Sequence, residues 1–186
     1  MPLWPVQLYR SSLDKLIVGI FLGNVQLGTY SILTMFAQLI HFIPASMFTF
    51  IMPKVAMQNG RMSISNFRKL NMATLLISLS ISFLLVVFKA QIFTHFSLSI
   101  EYVPIFYLIV FSYFLLSLNI PSYFVAIAMN MSKRISFLSI ASAVLGILFM
   151  IFFIEKYSIF AVATSRLVYS IVTLSYLYFV LRALRK

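Results

Sequence analysis

Residues 29–52, TYSILTMFAQLIHFIPASMFTFIM, run for 24 positions without an acidic, Lys or Arg side chain. About 20 predominantly apolar residues in a helix cross the hydrocarbon core of a bilayer, so this run reads as a transmembrane helix. Pro44 lies inside it. A proline is tolerated there if neighbouring helices satisfy the carbonyl it frees. Outward from this run the pattern repeats. Apolar stretches at 71–94, 103–129, 135–154 and 158–181 are each long enough for a further span.

Composition points the same way. The chain of 186 residues is 62% hydrophobic and only 9% charged, against about 25% charged in a soluble domain. A β-barrel would show short alternating segments instead of long apolar runs. The fold class expected is therefore all-α: a polytopic transmembrane helix bundle of six helices, in one domain covering 1–186.

The net charge of +11 would suggest nucleic acid in a soluble protein. Here the basic residues cluster in alternate connections: Lys54, Arg61, Arg68, Lys69, then Lys133 and Arg134, then Arg182, Arg185 and Lys186. The other connections hold Glu101, or Glu155 with Lys156. Positive charge concentrates on the cytoplasmic side of membrane proteins. The bias puts both termini in the cytoplasm and turns 23–28 and 95–102 outside, without a polyanionic partner. The loop 53–69 has room for a short surface helix. No cleavable signal pattern stands at the start, since "MPLWPVQLYRSSLDK" has no basic stretch leading into an apolar one.

The first segment, 2–22, is the polar one. Its apolar run LIVGIFL (16–22) is short, and Gln7, Arg10, Ser11, Ser12, Asp14 and Lys15 precede it. Topology still requires it to cross. Arg10 and Asp14 are four apart, share a helix face and can pair. Ionisable groups at membrane depth face a bundle interior or a water-filled cavity, and Arg suits phosphate through its forked donors. Arg10, Asp14 and Lys15 are therefore cavity candidates, weighed against a structural Arg10–Asp14 pair. Arg166 lies roughly 12 Å inside the last span and is a further candidate. Gln38 and His41, three apart on one face, and Asn119 are weaker ones, since interhelical hydrogen bonds explain them as well. Lys89 reads as a snorkelling residue near a helix end. "SLSIS" (78–82) and "SIASAVLG" (139–146) place small residues at helix-packing spacing.

No enzyme site assembles. There are no cysteines and two histidines, so no metal-ligand spacing occurs, and no cofactor is implied. Asp14, Glu101 and Glu155, the only acids, fall in different segments and form no catalytic pair.

The order Asp14-Lys15, Gly19, Gly23, Gly28 and Tyr30, followed by Pro53 and Ala56, resembles the seventh and eighth helices of polysaccharide flippases. These are the lipid-linked oligosaccharide (O-antigen type) transporters of the multidrug/oligosaccharidyl-lipid/polysaccharide exporter superfamily. "EYVPIFYLIVF" (101–111) is similar to the outward entry of their tenth helix, and residues 128–170 to their basic turn and last two helices. Ser158, Phe160, Ala161 and Ala163 depart from the glycine-rich entry usual there. The resemblance covers only the C-terminal half of a MATE-like two-bundle transporter. It implies alternating access to a cationic cavity, a lipid-linked glycan as substrate, membrane lipids as surroundings, and a missing N-terminal half or a partner half. It also implies a multi-pass protein of the inner membrane. Within the resemblance, the glycines permit a tight outward turn and Tyr30 sits at the water interface. Rival readings are another exporter of the superfamily for drugs or a peptidoglycan precursor, a membrane-embedded glycan polymerase or glycosyltransferase, and an inactive gene remnant.

Overall fold

The computed structural model describes the backbone of residues 4–57, 64–128 and 132–184, with side chains for 13–51, 65–127, 136–137 and 139–174. Among the described residues the chain is all helical, with no strand. The elements are α1 (Trp4–Met57), α2 (Ile64–Val87), α3 (Lys89–His95), a 3-10 turn (Ile100–Tyr102), α4 (Val103–Ser117), α5 (Ile120–Ala128), α6 (Ser132–Tyr157) and α7 (Ile159–Leu184).

Helix α1 is two helices in one. Gly23 has φ 83° and ψ 175° in an otherwise helical run. That region of backbone space is essentially open to glycine alone. In a straight helix Asp14 and Tyr30 would stand about 24 Å apart at 1.5 Å per residue. Instead the Tyr30 hydroxyl donates to Asp14 Oδ2 at 3.5 Å. The chain therefore folds back at Gly23, and its two arms pack as a hairpin. The outward turn expected over 23–28 is a single-residue break, because 24–28 are already helical. Gly28 has ordinary helical geometry with open space where a Cβ would stand.

Counted by pass, there are six helices: the two arms of α1, α2 with α3, α4 with α5, α6, and α7. Four stretches are long and apolar enough to cross a membrane: Leu13–Ile51, Ser65–Val87, Ile100–Ile127 and Ser139–Tyr157. The first has 39 residues, about 58 Å as a straight helix, or nearly twice the hydrocarbon thickness. The break at Gly23 resolves that excess. The described part of α7, Ile159–Leu174, is a shorter apolar helix. The chain is a multi-pass membrane protein. Of the connection 53–69, residues 53–57 belong to α1 and 64–69 to α2, and residues 58–63 lie outside the described ones, so the surface helix expected there has no counterpart to report.

The outer surface of the bundle is as apolar as its core. Ile20, Phe50, Phe83, Phe137 and Phe152 are exposed on its outer surface, where lipid tails are as apolar as they are. Small residues share the helix contacts with large apolar ones: Ala37, Ala126, Ala161, Ala163, Ser78, Ser122 and Ser142 are fully or nearly fully buried, as are Leu33, Phe67, Phe106 and Met150. Small side chains let backbones approach, and close packing drives helix association in lipid. Ser117 donates to Ser78 across α4 and α2 at 2.7 Å. Helix α7 lies against α6, α4, α5 and α1 and so forms the spine of the bundle.

The turn between α6 and α7 places Ser158 at φ 53°. A side chain in that left-handed region clashes with its own backbone. Ser158→Gly therefore raises stability by about 0.5–1 kcal/mol, read as a higher midpoint in SDS-induced unfolding of the solubilised chain.

Candidate functional site

Two opposite charges meet inside the bundle. Arg166, two turns into α7, donates from Nε to Asp14 Oδ2 at 2.8 Å. Asp14 is 1% exposed and Arg166 7%. This is the one ion pair among the described residues. It joins the first arm of α1 to α7 across 152 positions of sequence.

Two tyrosines complete the cluster. Arg166 Nη1 donates to the Tyr113 hydroxyl on α4. The Tyr30 hydroxyl, on the second arm of α1, donates to the same Asp14 oxygen that Arg166 holds. The guanidinium carbon lies 4.9 Å from the Tyr113 ring centroid and 5.6 Å from that of Tyr30. Both distances are within cation–π range. Four helical passes thus contribute one side chain each. The Nη2 edge of Arg166 makes no hydrogen bond among the described residues. The expected place of Tyr30 at the water interface is corrected: it is 0% exposed. The fold-back at Gly23 turns it inward, and a buried tyrosine keeps a polar partner for its hydroxyl.

Local sequence explains how each group is held. Around Arg166 the face of α7 is small and self-satisfied: Ser165 donates to Val162 O, Ser170 to Arg166 O, and Thr173 to Ser170 O. Such back-bonding hides hydroxyls without competing for the guanidinium. Arg166, Ser170 and Thr173 fall at helical spacing on one face, which turns toward α4 and α5.

The remaining candidates are spread more widely. Asn119 sits at the break between α4 and α5 and donates from Nδ2 to Thr173 Oγ1 at 3.1 Å and to Leu115 O at 3.4 Å. Lys15, Gln38 and His41 are partly buried and make no side-chain hydrogen bond among the described residues. The side chain of Arg10 lies outside the described residues, so the Arg10–Asp14 pair has no structural counterpart to report. Lys89 does not simply reach for water. Its ammonium donates to the Tyr107 hydroxyl and stands 4.9 Å from the centre of that ring.

Sequence reasoning placed Asp14 and Arg166 in separate groups and missed Tyr113. A signal for the pair existed. Asp14 is the only acid within a span, and Arg166 the only Lys or Arg within the last span, 158–181. Lone opposite charges in hydrocarbon are expected to pair. Nothing marked Tyr113 among ten tyrosines.

Removing a hydroxyl bonded to a charged group costs about 1.5–3 kcal/mol. Tyr113→Phe falls in that range. Tyr30→Phe, with its longer 3.5 Å bond, costs less. SDS unfolding midpoints of the two variants check the order.

No family model, curated protein or solved structure matches this chain.

Proposed function

We propose that the chain is the C-terminal half of a lipid-linked oligosaccharide flippase of the inner membrane, working by alternating access. The observation that carries this reading is the Asp14–Arg166 pair, buried at membrane depth between helices that would line a central path. Intramembrane ionisable residues are costly to keep, and they commonly mark substrate or ion pathways. The resemblance of residues 14–56 to the seventh and eighth helices of polysaccharide flippases supplies the substrate class.

In this reading Arg166 is the group that meets the diphosphate of the lipid carrier. In the present conformation its Nε and Nη1 are occupied by Asp14 and Tyr113, and Nη2 is the edge left for a phosphate oxygen. Opening of the path would exchange Asp14 for the diphosphate, a swap between two anionic partners of one guanidinium. The glycan stays in the polar path, and the lipid tail stays in the bilayer. Rocking of helix bundles about a midplane site is the transport step.

A structural clamp is the second reading, favoured by the bonds that Nε and Nη1 already make to Asp14 and Tyr113. The two readings separate in a host whose surface glycan depends on this chain. Arg166→Ala and Arg10→Ala are expected to reduce glycan display per molecule of folded chain in the membrane. The double variant Asp14→Leu/Arg166→Leu removes the clamp and the buried charges together. If it is stable and still displays glycan normally, the transport role of Arg166 is wrong.

A further inference from the structure

We propose that α5 and the part of α1 from Ala45 form a lid at one end of the bundle and swing together about Asn119 and Pro44, independent of the flippase reading. The helices pack around two separate apolar cores. The main core draws on the second arm of α1 only as far as Ile40, on α2 only from Ile81, and on α4 only as far as Leu116. Among the described residues it takes nothing from α5. A second core joins Ala45 and Phe48 of α1 to Ile120 and Phe124 of α5, with Leu70 of α2 beside them. The rings of Phe48 and Phe124 stack, their centroids 5.6 Å apart and their planes 9° from parallel. That contact couples the two helices of the lid. Helix α2 runs unbroken from Ile64 to Val87, so Leu70 belongs to the fixed side.

The layer between the cores is small and polar. Thr74 and Ser78 stand between Leu70 and Ile81 on α2, and Ser117 between Leu116 and Ile120. Apolar side chains of the two cores do not interdigitate across it, so the close packing that makes an interior rigid is absent there.

Both crossings into the lid are weak points of the backbone. Pro121 has no N–H for the Ser117 carbonyl one turn back, and its ring clashes with a straight continuation. Among the described residues no backbone hydrogen bond joins an α5 N–H to an α4 carbonyl. Asn119 alone is bonded to both sides: its N–H donates to Leu116 O at 3.2 Å, and its carbonyl accepts from Tyr123 N at 2.9 Å. Pro44 likewise offers no N–H to the Ile40 carbonyl, and it falls in the gap between Ile40 and Ala45 that divides the cores. Prolines are where helices bend.

One side-chain bond holds the pivot down. Asn119 Nδ2 donates to Thr173 Oγ1 of α7 at 3.1 Å. The closed arrangement leaves Asn119 Oδ1 and Ser122 Oγ buried without a hydrogen-bond partner. Opening brings water to both, so closure carries a cost that the open state escapes.

The test is hydrogen–deuterium exchange of the full chain in detergent, read by mass spectrometry. Amides of 45–51 and 120–127 are expected to show matching protection, about tenfold or more below that of 30–40 and 103–116. Thr173→Val removes the latch at nearly constant volume. It is expected to speed exchange of both lid segments about 2- to 10-fold and to leave the main core unchanged. The response of 45–51 is decisive, because the Thr173 hydroxyl bonds only Asn119 and Ser170. Pro121→Ala restores the missing N–H and is expected to slow both segments. Equal protection of the lid and the main core in wild type overturns the proposal. So does a Thr173→Val response confined to 120–127 or spread evenly over both cores.

Discussion

Asp14→Ala lowers the stability of the bundle by about 3–5 kcal/mol, the cost of leaving a buried partner charge without compensation. The carboxylate accepts from Arg166 Nε at 2.8 Å and from Tyr30. Alanine in its place leaves the guanidinium with the Tyr113 hydroxyl and two aromatic faces but no counter-charge, behind a surface that is 7% open. Asp14→Asn keeps an acceptor and still leaves the positive charge unmatched, so it too is destabilising. The double variant Asp14→Leu/Arg166→Leu behaves differently. Replacing a whole buried pair by apolar groups is often neutral, or stabilising by about 1–4 kcal/mol. The double-mutant cycle in SDS unfolding therefore shows strong coupling: two costly single changes and one mild double change. A cost below about 1 kcal/mol for Asp14→Ala would mean that the two charges are not paired in the folded chain.

Gly23→Ala is the second large effect. It costs about 1–3 kcal/mol, because alanine cannot reach φ 83°, ψ 175° without strain. No atom lies within 4 Å of the added methyl. The whole penalty is therefore backbone conformation, and neighbouring side chains cannot relieve it. Gly28→Ala is the matched control: it sits in the second arm, has open space around it and ordinary helical geometry. There alanine gains about 0.5–1 kcal/mol by helix propensity. Opposite signs for two glycines five residues apart, measured by the same unfolding assay, would place the turn at Gly23 alone. Equal effects would locate it over the wider stretch.

The helical passes were legible because hydrocarbon imposes a minimum length of apolar residues, and that length is a local property. The resolution of 29–52 from 2–22 depended on one conformation that only glycine takes, and the glycines at 19, 23 and 28 look alike in sequence. Only the fold-back shows which of them turns the chain. Asp14 and Arg166 were each visible as charges in an apolar setting. Their contact was not, since no periodicity links residues 152 apart. Tyr30 carried a misleading local cue, because position near a turn suggests the interface while packing of the hairpin arms decides burial. The unpartnered oxygens of Asn119 and Ser122 depend on orientation and neighbours, which sequence spacing cannot supply.

The separation of the ion pair along the chain has a consequence for synthesis. At roughly 5–20 residues per second, Arg166 leaves the ribosome roughly 8–30 s after Asp14. Throughout that interval the carboxylate has Tyr30, sixteen residues away, as its nearby partner. The hairpin shelters the nascent acid with a neutral hydroxyl before Arg166 arrives. The mature arrangement becomes accessible only when α7 arrives, so the buried charge times the closure of the bundle to the emergence of that helix.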